Sequence, residues 1–217
     1  MRKTPEVFDR LAAGLGLVIL SPALALIWAA IAMLDGTPVL FRQKRVGRGG
    51  KPFELIKFRS MATGMAGAGI TAAADPRVTR AGRILRKYKL DELPQLWNVF
   101  RGDMRLVGPR PEVPHLVDLR NPAWQEVLTV SPGITDLASL IYRNEEELLA
   151  GAPDVERYYR DTVQPHKLAL NLRYIETRSL STDFAIVLLS IRYALWPKQF
   201  NAERIAKSFQ KREPIEP

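Results

Sequence analysis

LAAGLGLVILSPALALIWAAIAML, residues 11–34, runs between Arg10 and Asp35 without a single charge. At about 1.5 Å per residue, a helix of that length reaches about 36 Å, enough to cross a hydrocarbon core of about 30 Å if it stays straight. Ser21-Pro22 stands near its middle. Proline has no amide hydrogen and its ring crowds the preceding turn, so the sequence predicts a kink or break there, with the Ser21 hydroxyl satisfying a carbonyl that Pro22 frees. Arg2, Lys3 and Arg10 precede the stretch, and Arg42, Lys44, Arg45, Arg48, Lys51, Lys57 and Arg59 follow it. Basic flanks favour the cytoplasmic side, and here both flanks are basic. The expectation is a re-entrant helix-break-helix hairpin over residues 1–36, anchoring a domain over residues 37–217 on the cytoplasmic face. A kinked single span is the rival. A cleaved signal peptide fits less well, because the apolar run exceeds an h-region of about 7 to 15 residues and basic sequence follows it.

The chain has 217 residues, no cysteine, and a formal charge of +9 from 32 Lys and Arg against 23 Asp and Glu. Nothing points to a disulfide scaffold. The positive balance calls for a polyanionic partner such as anionic lipid, nucleotide phosphates or nucleic acid. Charge concentrates between Arg77 and Arg110, where nine basic residues face Asp91, Glu92 and Asp103. Beyond the membrane, one domain of α/β class, mostly helical, is expected.

PVLFRQKR and PFELIKFRSM, joined by VGRGGK, predict a small β-hairpin. The stretch from Thr63 to Asp75, rich in Gly and Ala, reads as a mobile loop. RVTRAGRILRKY places Arg77, Arg80, Arg83 and Arg86 every third residue and predicts a helix with an arginine face. In LDELPQLWNVF, Asp91 suits an N-cap, with Glu92 and Pro94 in the first turn. AGAPDVERYYRDTVQPHKLALNLRYIETRS suggests a broken helical pair. DFAIVLLSIRYALWP is apolar and too short to span, so it either packs in the core or lies amphipathically in the membrane interface.

Asp91-Glu92 carries the chemistry. Capping alone explains such a pair, but these acids sit inside the most basic part of the chain, where arginines can keep a carboxylate ionised and clamp a phosphate. A carboxylate that attacks phosphorus forms an acyl phosphate, and a divalent cation on a second carboxylate offsets the charge.

FRQKRVG from Phe41, KFRSM from Lys57, LRKYKLDELPQLWNVFRGDMRLVGPRPE from Leu85 and SPGIT from Ser131 resemble, in order and spacing, the monotopic phosphoglycosyl transferases, a family of bacterial sugar transferases. The FDR before the apolar run and the Ser-Pro within it match too, so the resemblance covers essentially the whole chain. It implies an enzyme of the bacterial cytoplasmic membrane that moves a phospho-sugar from a UDP-sugar to polyprenol (undecaprenyl) phosphate. It also implies release of UMP, a covalent aspartyl intermediate and a start to glycoconjugates such as exopolysaccharide or lipopolysaccharide. By position, Asp91 resembles the nucleophile, Glu92 the Mg²⁺ ligand, Arg86 and Arg110 phosphate-binding arginines, and Lys57 the active-site lysine. Arg59 and Arg143 are candidate nucleotide or sugar contacts.

Two departures stand out. After SPGIT the family commonly continues GWAQVNGRN, whereas this chain reads DLASLIYRN, keeping only Ala138, Arg143 and Asn144. The acid that the family places before a Tyr-Tyr pair has two counterparts here, Asp154 and Glu156. GRGGK lacks the spacing of a nucleotide P-loop, and His115 and His166 lack metal-ligand spacing. The partners expected are UDP-sugar, polyprenol phosphate and membrane lipid, without nucleic acid; oligomeric state, including a homo-oligomer, stays open. The alternative is a membrane-tethered basic scaffold that binds polyanions without catalysis, which leaves the acids at 91 and 92 unexplained.

Overall fold

The computed structural model describes residues 6–62, 73 and 75–210. The expected loop between Thr63 and Asp75 lies largely outside them. Helix α1 covers Glu6–Leu34, and the interruption expected at Ser21-Pro22 is absent, since the helix runs through Pro22. The freed carbonyl behaves as expected: with no amide hydrogen on residue 22, Val18 O instead accepts the Ser21 hydroxyl at 2.8 Å. That replacement bond lets an apolar helix tolerate an internal proline.

Both ends of α1 are tied to the rest of the molecule. Near the start, Asp9 pairs with Arg105 at 2.5 Å and Arg10 Nε donates to Phe100 O at 2.9 Å. At the other end, Ile31 packs with Val39, Phe58 and Leu85. Arg59 there donates to Asp35 O and Gly36 O, both at 2.6 Å, occupying carbonyls that a helix C-terminus leaves open. Between these ends Leu15, Val18, Ile19 and Leu26 are exposed.

The hairpin forms as expected from β1, Leu40–Val46, antiparallel to β2, Pro52–Phe58. Helix α2, Arg80–Lys87, is capped by Thr79, whose hydroxyl oxygen accepts from Gly82 N while its proton goes to Asp35 Oδ2. Gly82 is required there, because a Cβ would come within 2.0 Å of Ser60 O. Helix α3, Gln95–Arg101, packs along α1 and holds β2 through Asn98, which donates to Glu54 O and accepts from Ile56 N.

A second, parallel pair, β3 at Arg105–Val107 and β4 at Gly133–Thr135, was not read from the sequence. It explains the glycines of VGPRP and SPGIT. A Cβ on Gly133 would come within 2.1 Å of Gly108 N, so the two backbones touch where each motif begins to turn.

The C-terminal half is helical. Helices α4, Pro122–Val127, α5, Leu137–Ile141, and α6, Glu145–Leu149, lead to α7, Val155–Tyr158. A π turn over Tyr159–Val163 joins α7 to α8, Gln164–Thr177, so the expected broken pair is one helix with a widened turn. Helix α9, Leu180–Leu195, meets the core expectation for its stretch through Ile186 and Tyr193, while Leu180, Phe184, Leu188, Ile191 and Leu195 form an exposed apolar stripe on another face. Helix α10, Ala202–Gln210, buries Ile205 in that core.

Candidate active site

Helix α2 stops because Lys89 turns into the left-handed region at φ 55°, and Leu90–Glu92 then form one 3-10 turn before Pro94 starts α3. The helix therefore begins later than expected. Asp91 caps nothing; it is 8% exposed, and its Oδ1 has no hydrogen-bond partner. A buried carboxylate oxygen left open at the end of an arginine-bearing helix is an expensive arrangement that capping does not explain.

Glu92, its neighbour, is surrounded. Arg110 forks over it, with Nη2 at 2.5 Å from Oε1 and Nη1 at 3.1 Å from Oε2, and Lys57 Nζ lies 3.5 Å from Oε1. Arg110 is aimed by the β3/β4 contact: its backbone N–H donates to Asp136 Oδ2 at 2.9 Å, and the Asp136 side chain is fully buried just after SPGIT.

Electrostatically the two acids diverge. Burial, then the charge of Glu92, push Asp91 above the usual carboxylate range, against the pull of Lys57, Lys89 and Arg86. Burial works the same way on Glu92, but Arg110, Lys57 and Lys89 outweigh it and hold Glu92 well below that range. The arginines expected to ionise the pair thus act mainly on its second member. Burial lowers Lys57 to about 8 despite Glu92. Burial also opposes the charge on Arg110, yet Glu92 and Asp136 raise it above its ordinary value.

Of the other residues picked out by sequence, Arg86 gives its Nη2 to Glu146 of α6 while staying close enough to Asp91 to stabilise its charge. Arg143 donates to Lys87 O at 2.8 Å, just before the Leu90–Glu92 turn, and lies over the Phe200 ring. Arg59 gives its Nη2 to the end of α1. Glu156 pairs with Arg160 on the surface of α7 and its continuation, and Asp154 caps α7. Sequence reading missed Lys89, Asp136, Arg45 and Glu112. The signal was there: Arg45, Lys89 and Glu112 lie inside the quoted motifs, and Asp136 directly follows one.

A divalent cation has a partial fit. Among the described residues no three acidic or histidine side chains gather into a metal cage. Mg²⁺, however, is often held by one or two carboxylates and the substrate's own phosphates, and the open Asp91 Oδ1 beside Glu92 is a donor set of that kind.

A sequence profile of the bacterial sugar transferases matches residues 2–197. The chain belongs to that family. Among curated relatives of this sugar transferase, a UDP-glucose:undecaprenyl-phosphate glucose-1-phosphate transferase of Caulobacter vibrioides is 40% identical over 191 residues, covering 86% of this chain and 67% of the relative. A UDP-N-acetylgalactosamine-undecaprenyl-phosphate N-acetylgalactosaminephosphotransferase of Aeromonas hydrophila is 36% identical over 192 residues, 86% of this chain and 42% of its own length. Exopolysaccharide production protein ExoY of Rhizobium meliloti is 34% identical over 201 residues, 85% of this chain and 82% of the relative. This sugar transferase thus spans from about two fifths to about four fifths of those proteins.

Proposed function

We propose that the chain transfers a sugar phosphate from a nucleotide diphosphate-sugar, with UDP as the nucleotide, to a polyprenol phosphate at the cytoplasmic face of a bacterial membrane. The observation that carries this reading is the buried, unpartnered Asp91 Oδ1 beside a Glu92 already neutralised by Arg110 and Lys57. Asp91, as carboxylate, attacks the sugar-proximal phosphorus; an O–P bond forms, the P–O bond to the nucleotide phosphate breaks, and UMP leaves with the electron pair. A phosphate oxygen of the polyprenol then attacks the same phosphorus, breaking the Asp91–P bond and regenerating the carboxylate. Arg86, on the edge of the nucleophile turn, exchanges Glu146 for a donor phosphate. Mg²⁺ held by Asp91 or Glu92 together with the donor phosphates would offset the charge of the diphosphate.

Anchoring supports the reading, because a lipid phosphate stays at headgroup depth and the site must be held there. A straight helix as long as α1 reaches about 43 Å. Yet its two ends grip one body, through Asp9–Arg105 and through Arg59 with Ile31. A helix that crossed the bilayer would part those contacts, so this reading keeps both ends of the uninterrupted α1 on one side, with its exposed apolar residues turned to the membrane. We also assign the exposed stripe of α9, with Arg192 and Trp196 at its end, to the membrane interface.

Three experiments test the proposal. Asp91→Asn should lower nucleoside monophosphate release by at least about a thousandfold while the protein stays folded, since only one charge is lost. Wild-type protein given donor alone should show a phospho-sugar adduct by mass spectrometry. Turnover by Asp91→Asn at the wild-type rate would sink the nucleophile. Because the chain has no cysteine, single cysteines at Glu6 or Gly47 report topology cleanly. Both should resist a membrane-impermeant thiol reagent in intact cells and label after lysis; labelling of the Glu6 site from outside would mean that α1 crosses.

A further inference from the structure

The π turn over Tyr159–Val163 is the described chain's rarest local conformation, and π turns gather at functional sites. Here it sits where Tyr159 is buried to 2% exposure, in contact with none of Asp91, Glu92 or Lys57 by hydrogen bond. The Tyr159 hydroxyl donates to Glu112 Oε1. Lys167 of α8 donates to the same hydroxyl oxygen at 3.1 Å and to Glu145 Oε2 at 2.9 Å, and its Nζ lies 3.8 Å from Glu112 Oε1. On the far side, Arg45 Nη1 is 3.7 Å from Glu112 Oε2 and donates to Pro111 O at 3.2 Å. Two acids and two bases thus alternate around one neutral phenol. Burial first, then Glu112, push the Tyr159 hydroxyl up, so it keeps its proton and donates it.

Such a network is a poor way to gain stability, because taking four charges out of water costs about as much as their attraction returns, and apolar side chains would fill the space as well. What it touches is more telling. Glu112 directly follows Arg110-Pro111; its carbonyl accepts Val46 N at 2.9 Å, and Arg45 holds the carbonyl of Pro111. The turn that delivers Arg110 to Glu92 is therefore pinned on its trailing side by this network and on its leading side by Asp136.

We propose that Glu112 is a positioning residue for the transfer reaction, held by Tyr159, Lys167 and Arg45 so that the 109–112 turn keeps Arg110 fixed over Glu92. This rests on the reading of Asp91-Glu92 as the reacting pair. The π turn is then the device by which α7 and α8 reach a site built from the other half of the chain. Among the described residues the Tyr159 hydroxyl is the one close hydrogen bond of the Glu112 carboxylate, so removing it loosens the trailing side of the turn while the backbone bonds remain.

Tyr159→Phe deletes that single oxygen in the full-length protein. With undecaprenyl phosphate as acceptor and UDP-glucose, UDP-galactose and UDP-N-acetylglucosamine as donors, kcat should fall by about tenfold to a hundredfold with KM changed less than about twofold, equally for every donor used. Lys167→Met should show the same split. In an Arg110→Lys background Tyr159→Phe should add less than about threefold. An unchanged kcat well below the melting temperature, or a KM effect confined to one sugar, would overturn the proposal, the second by making the network a sugar contact. Amide hydrogen exchange without substrate reads the turn directly. Exchange at Val46 and Arg110 should quicken by about tenfold or more in Tyr159→Phe, and unaltered exchange would also overturn it. Wild-type protein that releases no nucleoside monophosphate from any donor refutes the function proposed above, while the exchange measurement still decides whether Glu112 holds the turn.

Discussion

Arg59 and Arg110 look alike in the sequence, each a basic residue inside a motif shared with phospho-sugar transferases, yet the structure puts them to opposite uses. Arg59, 4% exposed, gives its Nη2 to the backbone carbonyls of Asp35 and Gly36 at the end of α1. Arg110 gives its fork to the carboxylate of Glu92, next to an acid with an open oxygen. The first partner is fixed main chain, so that contact is architecture: it holds the apolar helix against the body. The second is a titratable side chain at the mouth of the proposed reaction, so the contact sets charge where a phosphate arrives. What separates anchor from site is the nature of the acceptor, which a motif does not display.

The sharpest way to break this contrast is to remove each arginine. Arg110→Ala leaves Glu92, a side chain 12% exposed, with Lys57 as its remaining close cation. Half-breaking a buried pair typically costs 3–5 kcal/mol; with Lys57 retained, a loss of about 3 kcal/mol is expected, together with loss of turnover. Urea unfolding and monophosphate release measure the two. If Arg110→Ala unfolds like wild type, the clamp on Glu92 is not the tight pair described.

Arg59→Met should behave differently. Losing two charge-assisted bonds to carbonyls costs about 2–3 kcal/mol, and that loss should appear as weaker docking of α1, seen as proteolysis near Asp35 and lower recovery in the membrane fraction. Turnover per folded molecule, measured in detergent, should stay within about twofold of wild type. A variant as stable as wild type but unable to turn over donor would move Arg59 from the anchor to the substrate.

The same contrast marks how far the sequence could be read. The hairpin, the arginine helix and the length of the apolar stretch follow from local pattern: alternation, three-residue spacing and absence of charge. The acid pair was legible as chemistry because two carboxylates inside a basic run need a reason. What escaped depended on contacts between distant segments. Gly108 against Gly133 makes the β3/β4 pair, and no periodicity within either motif announces it. Asp91 looked like a cap because its spacing suits one; a left-handed Lys89 and an intervening 3-10 turn moved the helix start beyond it. Arg59 and Arg143 were indistinguishable from ligand contacts until their acceptors, the carbonyls of Asp35, Gly36 and Lys87, came into view.

The smallest expected effect lies in the middle of α1 and tests why a proline there did not break the helix. Pro22 cannot donate to Val18 O, and the Ser21 hydroxyl does so instead. Ser21→Ala should therefore strand one carbonyl in apolar surroundings and cost about 1 kcal/mol in detergent or vesicles. Pro22→Ala restores a backbone N–H at position 22, which can reach Val18 in the ordinary helical pattern. In that background the same Ser21→Ala change should be silent, so the double-mutant cycle should give a coupling of about 1 kcal/mol. Additive effects would mean that the serine acts elsewhere. The cycle also bears on docking: if Pro22 sets the path along which the body grips both ends of α1, Pro22→Ala should loosen the Asp9–Arg105 end while the Arg59 end holds. Amide exchange resolved along α1 should then rise around residues 9–13 and stay unchanged around Ile31; a uniform rise would say that the two ends dock as one unit.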